Sequence, residues 1–500
     1  MTGGRLLALA PLRIEARAVA AGAPSALVIR TGMGPSRAGR TADRLVAAGM
    51  TPAAVAVTGV CGALAEDLVP GDIVVASEVR GPGTTVTLPS AALVAAALRR
   101  AGLSVRVGPV VSTDHVVRGS ERAALAATGA IAVDMESAAL TAAVWNAPLA
   151  VVRAVSDTGS WGPVSPAILR DGLKACRALR QAAPILEAWA AAAGPRRILL
   201  AGPRSFCAGV DRAIETVERA LDRFGAPVYV RKQIVHNRHV VAGLEAKGAV
   251  FVDELDEVPD NATLVFSAHG VAPSVRAEAA RRQLAVIDAT CPLVAKVHTE
   301  VRRFTAKGYQ IVLIGHPDHD ETVGTLGEAA EIQVVERPED VANVHAADPD
   351  RVAYITQTTL AVDEAAEIAT ALRTRYPSLV GPPADDICYA SQNRQDAVRA
   401  IAPDCDLVLV VGSRNSSNSN RLVEVARRAG SRAELVDDSS EVDLAWLAGA
   451  STVGVTAGAS APEVLVERLV STLGTLGPVG IEQQPVTTES VSFSLPLEVR

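Results

Sequence analysis

Cys207, Cys291 and Cys388 stand in the contexts ILLAGPRSFCAGVDRA, LAVIDATCPLVAKVH and ADDICYASQNR, each read as the C-terminal end of an apolar, strand-like run. Thiolates this far apart in sequence meet when the strand ends of an α/β fold gather around one point. Three soft ligands without a fourth suit an iron–sulfur cluster with one open iron, able to bind and reduce a substrate. Further strand ends carry polar clusters. VHNRHVV holds His236, SAHGV holds His269, and IGHPDHDET holds His316, His319 and Glu321. TQTTL supplies Thr358, GSRNSSNSNRL supplies Ser416, Ser417 and Asn418, and TAGASAP supplies Ser460. Hydroxyls, amides and imidazoles among loop glycines suit a diphosphate held by many hydrogen bonds. A protonated imidazole adds positive charge there without making the chain basic. Cys61, Cys176 and Cys405 read as small buried hydrophobes. His298 and His345 read as ordinary core or surface residues, His239 as packing near His236, and His316 as a residue behind the site.

The elements that must position these groups alternate. After residue 195, ILLAGP, PVYVRK, ATLVFSAHG, LAVIDATCP, QIVLIGHP, RVAYITQTT, DLVLVVGS and STVGVTAG are short apolar runs ending in Gly, Pro, Ser, Thr or His. Helix-like stretches such as RAEAARRQ and LVEVARRAG follow them. Strands alternating with helices predict an α/β fold with parallel sheets, whose ligands bind beyond the carboxyl ends of the strands. The near-regular spacing of the three cysteines predicts three small α/β units, approximately 197–285, 286–380 and 381–480. They would stand in pseudo-threefold arrangement around a central iron–sulfur site, each donating one thiolate. Before the boundary, ALVIRTG, AAVAVTGVCG and GDIVVASEV alternate with Ala/Arg-rich helical segments. The stretch APILEAWAAAAGPRRILLAGP turns at Gly194-Pro195 and sets the boundary between a domain at 1–194 and one at 195–500.

The bulk numbers agree with soluble globular protein. Hydrophobic residues make up 49% and charged residues 21%, which excludes wholesale disorder, and aromatics are only 3%. The core is therefore expected to be Ala and Val packed between helices and sheets. A net charge of −7 provides no basic field for a nucleic-acid backbone. Six cysteines without a close-set framework do not form a secreted disulfide scaffold. The N-terminal RLLALAPL is too short for a signal peptide, and no run of about 20 apolar residues predicts a membrane span. A cytoplasmic location is expected, where an oxygen-sensitive thiolate site survives. No GxGxxG dinucleotide fingerprint follows a strand.

From Arg197 to the C-terminus the chain resembles the 4-hydroxy-3-methylbut-2-enyl diphosphate reductase family. The resemblance runs in order through FCAGVDRA, HNRHVV, SAHGV, DATCPLVAKVH, TQTTL, DDICYA, GSRNSSNSNRL and TAGASAP. It implies a 4Fe–4S cluster ligated by Cys207, Cys291 and Cys388, with a unique iron for the allylic hydroxyl of the substrate. It also implies that His236, His269, Ser416, Ser417, Asn418 and Ser460 hold the diphosphate. Glu321 would deliver the proton that lets the hydroxyl leave as water, with Thr358 and His319 in the relay. The products implied are isopentenyl and dimethylallyl diphosphate, at the last step of the methylerythritol phosphate route to isoprenoids. The implied electron donor is a ferredoxin or flavodoxin. A carboxylic acid beside a buried anionic ligand is expected to have a raised pKa. The sequence departs from the family at GHPDHDETVGT, where Asp320 replaces the usual proline between His319 and Glu321.

Residues 1–194 resemble the purine nucleoside phosphorylase and methylthioadenosine nucleosidase superfamily. The resemblance rests on TGMG, VAVTGVCGALAEDLVPGDIVVASEV, VDMESAAL and VVRAVSD. It implies that Met135 and Glu136 contact a ribose, that Asp157 protonates the leaving base, and that Glu15 partners water or the ribose. VTGVCG lacks the phosphate arginine of many phosphorylases, which leaves Arg37 or Arg40 as substitutes. An adenosylated isoprenoid such as adenosylhopane is one substrate class the fusion suggests. A non-catalytic domain serving stability or homo-oligomer formation is the plainer reading. For the whole chain, the alternative is a nucleoside-cleaving enzyme with an iron–sulfur redox sensor at its C-terminal end. A sensor needs the three cysteines but neither the diphosphate serines nor Glu321.

Overall fold

The computed structural model describes residues 4–159 and 167–500. It divides into two compact units. The first is Met1–Arg197 with 438–451 and 468–480; the second is Ile198–Asp437 with 452–467 and 481–500. The two C-terminal insertions into the first unit depart from the expected contiguous division. Their physical reason is hydrogen bonding that periodicity does not reveal. The Arg196 guanidinium donates to Leu447 O at 3.1 Å, and Ser90 Oγ donates to Thr475 O at 3.0 Å.

The first unit is built on an eight-stranded mixed sheet. Its path runs 27–30, 6–10, 54–63, 132–134, 105–112, 73–81, 84–87. Strand Leu149–Asp157 pairs parallel with Ala54–Ala63 and antiparallel with Ile73–Gly81. The buried core is mostly Ala, Val and Leu, as the scarcity of aromatics requires. Helix Ala167–Ala192 packs on helix Arg13–Gly22 and buries Leu179, Leu186 and Trp189.

Three sheets make up the second unit. The first orders 249–252, 228–231, 263–266, 285–288, and its three pairings are all parallel. The second orders 332–335, 310–314, 352–356, again parallel. The third orders 432–436, 407–411, 452–457, 196–202, 479–485. Fully buried runs such as LVLVV at Leu407–Val411 have helices to cover them and cannot alternate polar and apolar.

The expected sub-unit boundaries are corrected by this pairing. Strand Arg196–Gly202 joins the third sheet, not the first, and Ala285–Asp288 joins the first, not the second. Each cysteine marks a crossing. Cys207 opens helix Ala208–Phe224, whose Ala213, Val217 and Ala220 pack in the core of the first sheet. Cys291 opens helix Pro292–Ala306, whose Val297, Val301 and Phe304 pack on the second. Cys388 opens helix Tyr389–Ile401, whose Ala397, Val398 and Ile401 pack on the third. A strand's hydrophobic run looks the same whichever sheet accepts it, so spacing alone placed these strands wrongly. Cys388 holds a second correction: no strand leads into it. Val380 makes an isolated bridge to Ala353, and irregular chain runs from there to the cysteine.

Candidate functional site

Cys207, Cys291 and Cys388 line one cavity of the second unit, with about 760 Å³ of empty volume including its mouth. Each sulfur sits at a helix N-cap, where backbone N–H groups lack intrahelical partners. Ser391 N donates to Cys388 Sγ at 3.3 Å. Burial pushes the Cys291 thiol up to about 12 and the Cys388 thiol up to about 11, and the neighbouring sulfurs reinforce the shift. Gly209 is needed between them. A Cβ there would lie 2.7 Å from Cys291 Sγ and 3.9 Å from Cys207 Sγ. This cradle, soft in its donors and with no Arg or Lys among the described residues that line it, fits a metal–sulfide group whose arrival releases the thiol protons.

On another wall, Glu321 is 3% exposed, and both its oxygens are held by Thr358. Thr358 N donates to Oε1 at 2.7 Å and Thr358 Oγ1 to Oε2 at 2.9 Å. Burial outweighs these bonds and raises the carboxyl to about 7. His319 caps the same short helix, its Nδ1 accepting from Glu321 N at 3.2 Å. Burial pushes His319 down to about 3. The ring is therefore neutral, with its proton on Nε2.

The remaining predicted residues close the cavity. His236 stacks on His269 with centroids 4.0 Å apart, and His319 stands edge-on to both. Burial also lowers the basicity of His236 and His269. Asn415 Nδ2 lies 3.4 Å from His236 Nδ1, and buried His236 Nε2 has no hydrogen-bond partner. Ser416 caps helix Ser417–Arg428, and Ser460 Oγ donates to His236 O at 3.0 Å. Asn418 Oδ1 accepts from Ala459 N at 2.8 Å, while its Nδ2 donates to Ser391 Oγ at 3.2 Å. Thr359 Oγ1 reaches Ser417 Oγ at 3.0 Å. The structure thus brings together the twelve residues given a role at the site in this half of the chain, while His316, read as lying behind it, is not in the lining. Asp320, at the family departure, sits with its carboxylate 3.9 Å from His236 Nε2. Sequence reasoning missed Ser391, Thr359 and Phe493, all on the cavity wall. Ser391 stands at the third position of the helix that Cys388 caps, and neither it nor Phe493 carried a local sequence signal.

In the first unit, Glu15, Met135, Glu136 and Asp157 line a second cavity, with about 690 Å³ of empty volume including its mouth. Glu15 is 1% exposed and accepts from Leu12 N at 2.7 Å and Val60 N at 2.9 Å. Gly34 N donates to Glu136 Oε1 at 2.8 Å, and burial raises that carboxyl. Behind them, fully buried Arg153 pairs with Asp134 at 2.8 Å. Gly59, at φ 143°, leaves room for this, since a Cβ there would meet Arg153 Nη1 at 2.5 Å. Arg122, missed in the sequence, faces the cavity and donates to Asp157 Oδ2 at 3.0 Å. Neither Arg37 nor Arg40 is among the lining residues. Cys61 and Cys405 are buried, and Cys176 is half-buried.

Comparison with known proteins now bears on both cavities. Residues 198–474, more than half of the chain, match the family model described as LytB protein. The chain belongs to the LytB protein family. It is 60% identical over 309 residues to a 4-hydroxy-3-methylbut-2-enyl diphosphate reductase of Mycolicibacterium paratuberculosis, covering 61% of this chain and 92% of that one. It is 59% identical over 305 residues to the protein of that name from Bordetella pertussis, with 61% and 94% covered. A solved E-1-hydroxy-2-methyl-but-2-enyl-4-diphosphate reductase of Plasmodium falciparum is 37% identical, with a TM-score of 0.59, covering 61% of this chain and 97% of that one. Residues 15–190 match the Phosphorylase superfamily model. LytB membership implies an iron–sulfur cluster, and the cysteine cradle fits one. No described helix is long and apolar enough to cross a membrane.

Proposed function

We propose that the second unit reduces 4-hydroxy-3-methylbut-2-enyl diphosphate to isopentenyl and dimethylallyl diphosphate. The observation that carries this reading is a neutral-range acid, Glu321 held by Thr358, in one cavity with three convergent thiols. Cys207, Cys291 and Cys388 would hold a 4Fe–4S cluster, which supplies one-electron reducing equivalents and an open iron position when bound. Stacked His236 and His269, with Ser416, Ser417, Asn418 and Ser460, would grip the diphosphate through neutral donors. This fixes the allylic hydroxyl towards the thiols and Glu321. Glu321, protonated near neutral pH, gives its proton to the departing oxygen as the C–O bond breaks. Thr358 holds the carboxyl in place, and His319 offers its Nε2–H beside it. Two electrons and a second proton go to the allylic carbons, and water leaves. The site of that second protonation sets which product forms. The reductant would be a ferredoxin or flavodoxin, in a cytoplasmic setting that protects the thiols. Reduced methyl viologen and the hydroxylated diphosphate, mixed anaerobically with cluster-loaded protein, test the reading. Substrate consumption is expected, and its absence rejects the assignment.

For the first unit we infer cleavage of a nucleoside at its glycosidic bond. Its support is the convergence of Glu15, Met135, Glu136 and Asp157 on one cavity. The arginine facing that cavity, Arg122, is already engaged by Asp157 and by the carbonyl of Ala63. This favours water over phosphate as the attacking group. Release of adenine from adenosine derivatives, followed by chromatography with and without phosphate, tests it. Phosphate-dependent release overturns the hydrolytic reading.

A further inference from the structure

The last residues of the chain take no regular secondary structure between the strand Val479–Pro485 and the final turn Leu497–Val499. They are nevertheless pinned at successive points. Glu489 Oε1 accepts from Asn393 Nδ2 at 2.9 Å and from Arg394 Nη1 at 3.0 Å. Arg394 is fully buried and also donates to Ser205 O at 2.6 Å and Phe206 O at 3.1 Å, the two residues before Cys207. It therefore ties the Cys388 helix to the Cys207 loop. Ser494 O accepts from Arg212 Nε at 2.8 Å, and Arg212 Nη1 donates to Thr290 O at 3.0 Å, next to Cys291. That second arginine ties the Cys207 helix to the Cys291 turn. Beyond it, Leu495 and Val499 pack in the core of the first sheet. Between the two pinned points, Phe493 lines the cysteine cavity. Val491, Ser492 and Ser494 on either side are exposed, and Phe493 itself is half-buried. Phe493 thus contributes its ring to the cavity wall from a segment whose flanking residues face water.

We propose that residues 489–499 are a strap across the cysteine cavity, with Phe493 as the apolar plug that keeps water and oxidants from the three sulfurs. The strap's purpose rests on the reading of the second unit as an iron–sulfur reductase. Cysteine oxidation and alkylation follow access, so removing the plug exposes the thiols without touching a ligand. The anchoring arginines lie beside two of the cysteines, so the strap closes only when the three cysteine-bearing segments are assembled.

The test uses the full chain in two forms. In metal-free protein, N-ethylmaleimide labelling of each cysteine is followed by peptide mass spectrometry. Phe493→Ala is expected to speed labelling at Cys207, Cys291 and Cys388 at least about three-fold, while buried Cys405 stays at its wild-type rate. Leu497→Ala, at an exposed position of the same segment, should leave all rates unchanged. In cluster-loaded protein, Phe493→Ala should lose visible absorbance faster in air. Equal labelling in wild type and Phe493→Ala overturns the proposal. Should Cys405 also accelerate, the fold has loosened, and Phe493→Leu decides. Milder acceleration confined to the three cysteines supports the strap; none overturns it. A wild-type chain that binds neither iron nor sulfide would sink the reductase reading, while the labelling still judges the plug.

Discussion

No arginine or lysine is among the described residues lining the cysteine cavity, whereas Arg122 faces the cavity of the first unit and Arg153 lies fully buried behind it. The first cavity holds two ion pairs, Arg153 with Asp134 and Arg122 with Asp157, while burial raises its Glu136 carboxyl. The second leaves its groups neutral. Cys291, Cys388, Glu321 and His319 are all shifted by burial towards their uncharged forms. Desolvation without a partner drives a group to neutrality, while desolvation with one preserves the charge. Ion pairs hold charge in one cavity; burial suppresses it in the other, where the three cysteines would hold a metal–sulfide group.

The comparison is most severely tested at the cysteines. Cys291→Ser should abolish the visible absorption of the loaded protein and reduce turnover beyond about a thousand-fold, read by iron content and viologen oxidation. Survival of both would remove the need for an occupant. Next in size, Glu321→Gln should keep diphosphate binding and lower kcat by about 10²–10⁴-fold. In the first unit, Arg153→Met strands buried Asp134 and should cost about 3–5 kcal/mol. All four tryptophans fall in that unit, so fluorescence-detected denaturation isolates its transition.

The pH dependence is gentler. Glu321 is raised from 4.5 to about 7, so its stabilising share is full below 4.5 and lost as pH rises through 7. The melting temperature of Glu321→Gln relative to wild type should therefore climb between pH 5 and pH 8. A flat difference would mean that folding does not raise the carboxyl's pKa. Wild-type kcat should fall up to about ten-fold per unit above pH 7, because the donor must carry its proton. Smallest of all, Asp320→Pro should change KM less than about five-fold, since Asp320 is part-exposed and 3.9 Å from His236.

Much of this was legible in the chain itself. The eight apolar runs named after residue 195 all appear as strands, because buried parallel strands advertise themselves as continuous Val, Ile and Leu. Strands 249–252, 332–335 and 432–436 escaped notice, being short and polar-edged, like EIQVVE around Ile332. Most of the twelve cavity residues were legible because they follow a recognisable break in a strand–helix alternation, although Cys388 is reached through irregular chain. Phe493 was not, for nothing local in ESVSFSLP announces a cavity; only Glu489 meeting Arg394 across the fold puts it there. Arg122 escaped for a similar reason, its partner Asp157 lying on a different element.

Cys207, Cys291, Cys388, Ser416 and Asn237 each begin a helix of eight residues or more, and these five helices start in the chain segments that surround one chamber. Aligned peptide dipoles lend such starts a fractional positive potential that belongs to the main chain. An acidic protein thereby offers a welcoming field to a sulfide-laden, phosphorylated guest. That field cannot be titrated, acetylated or mutated away one residue at a time.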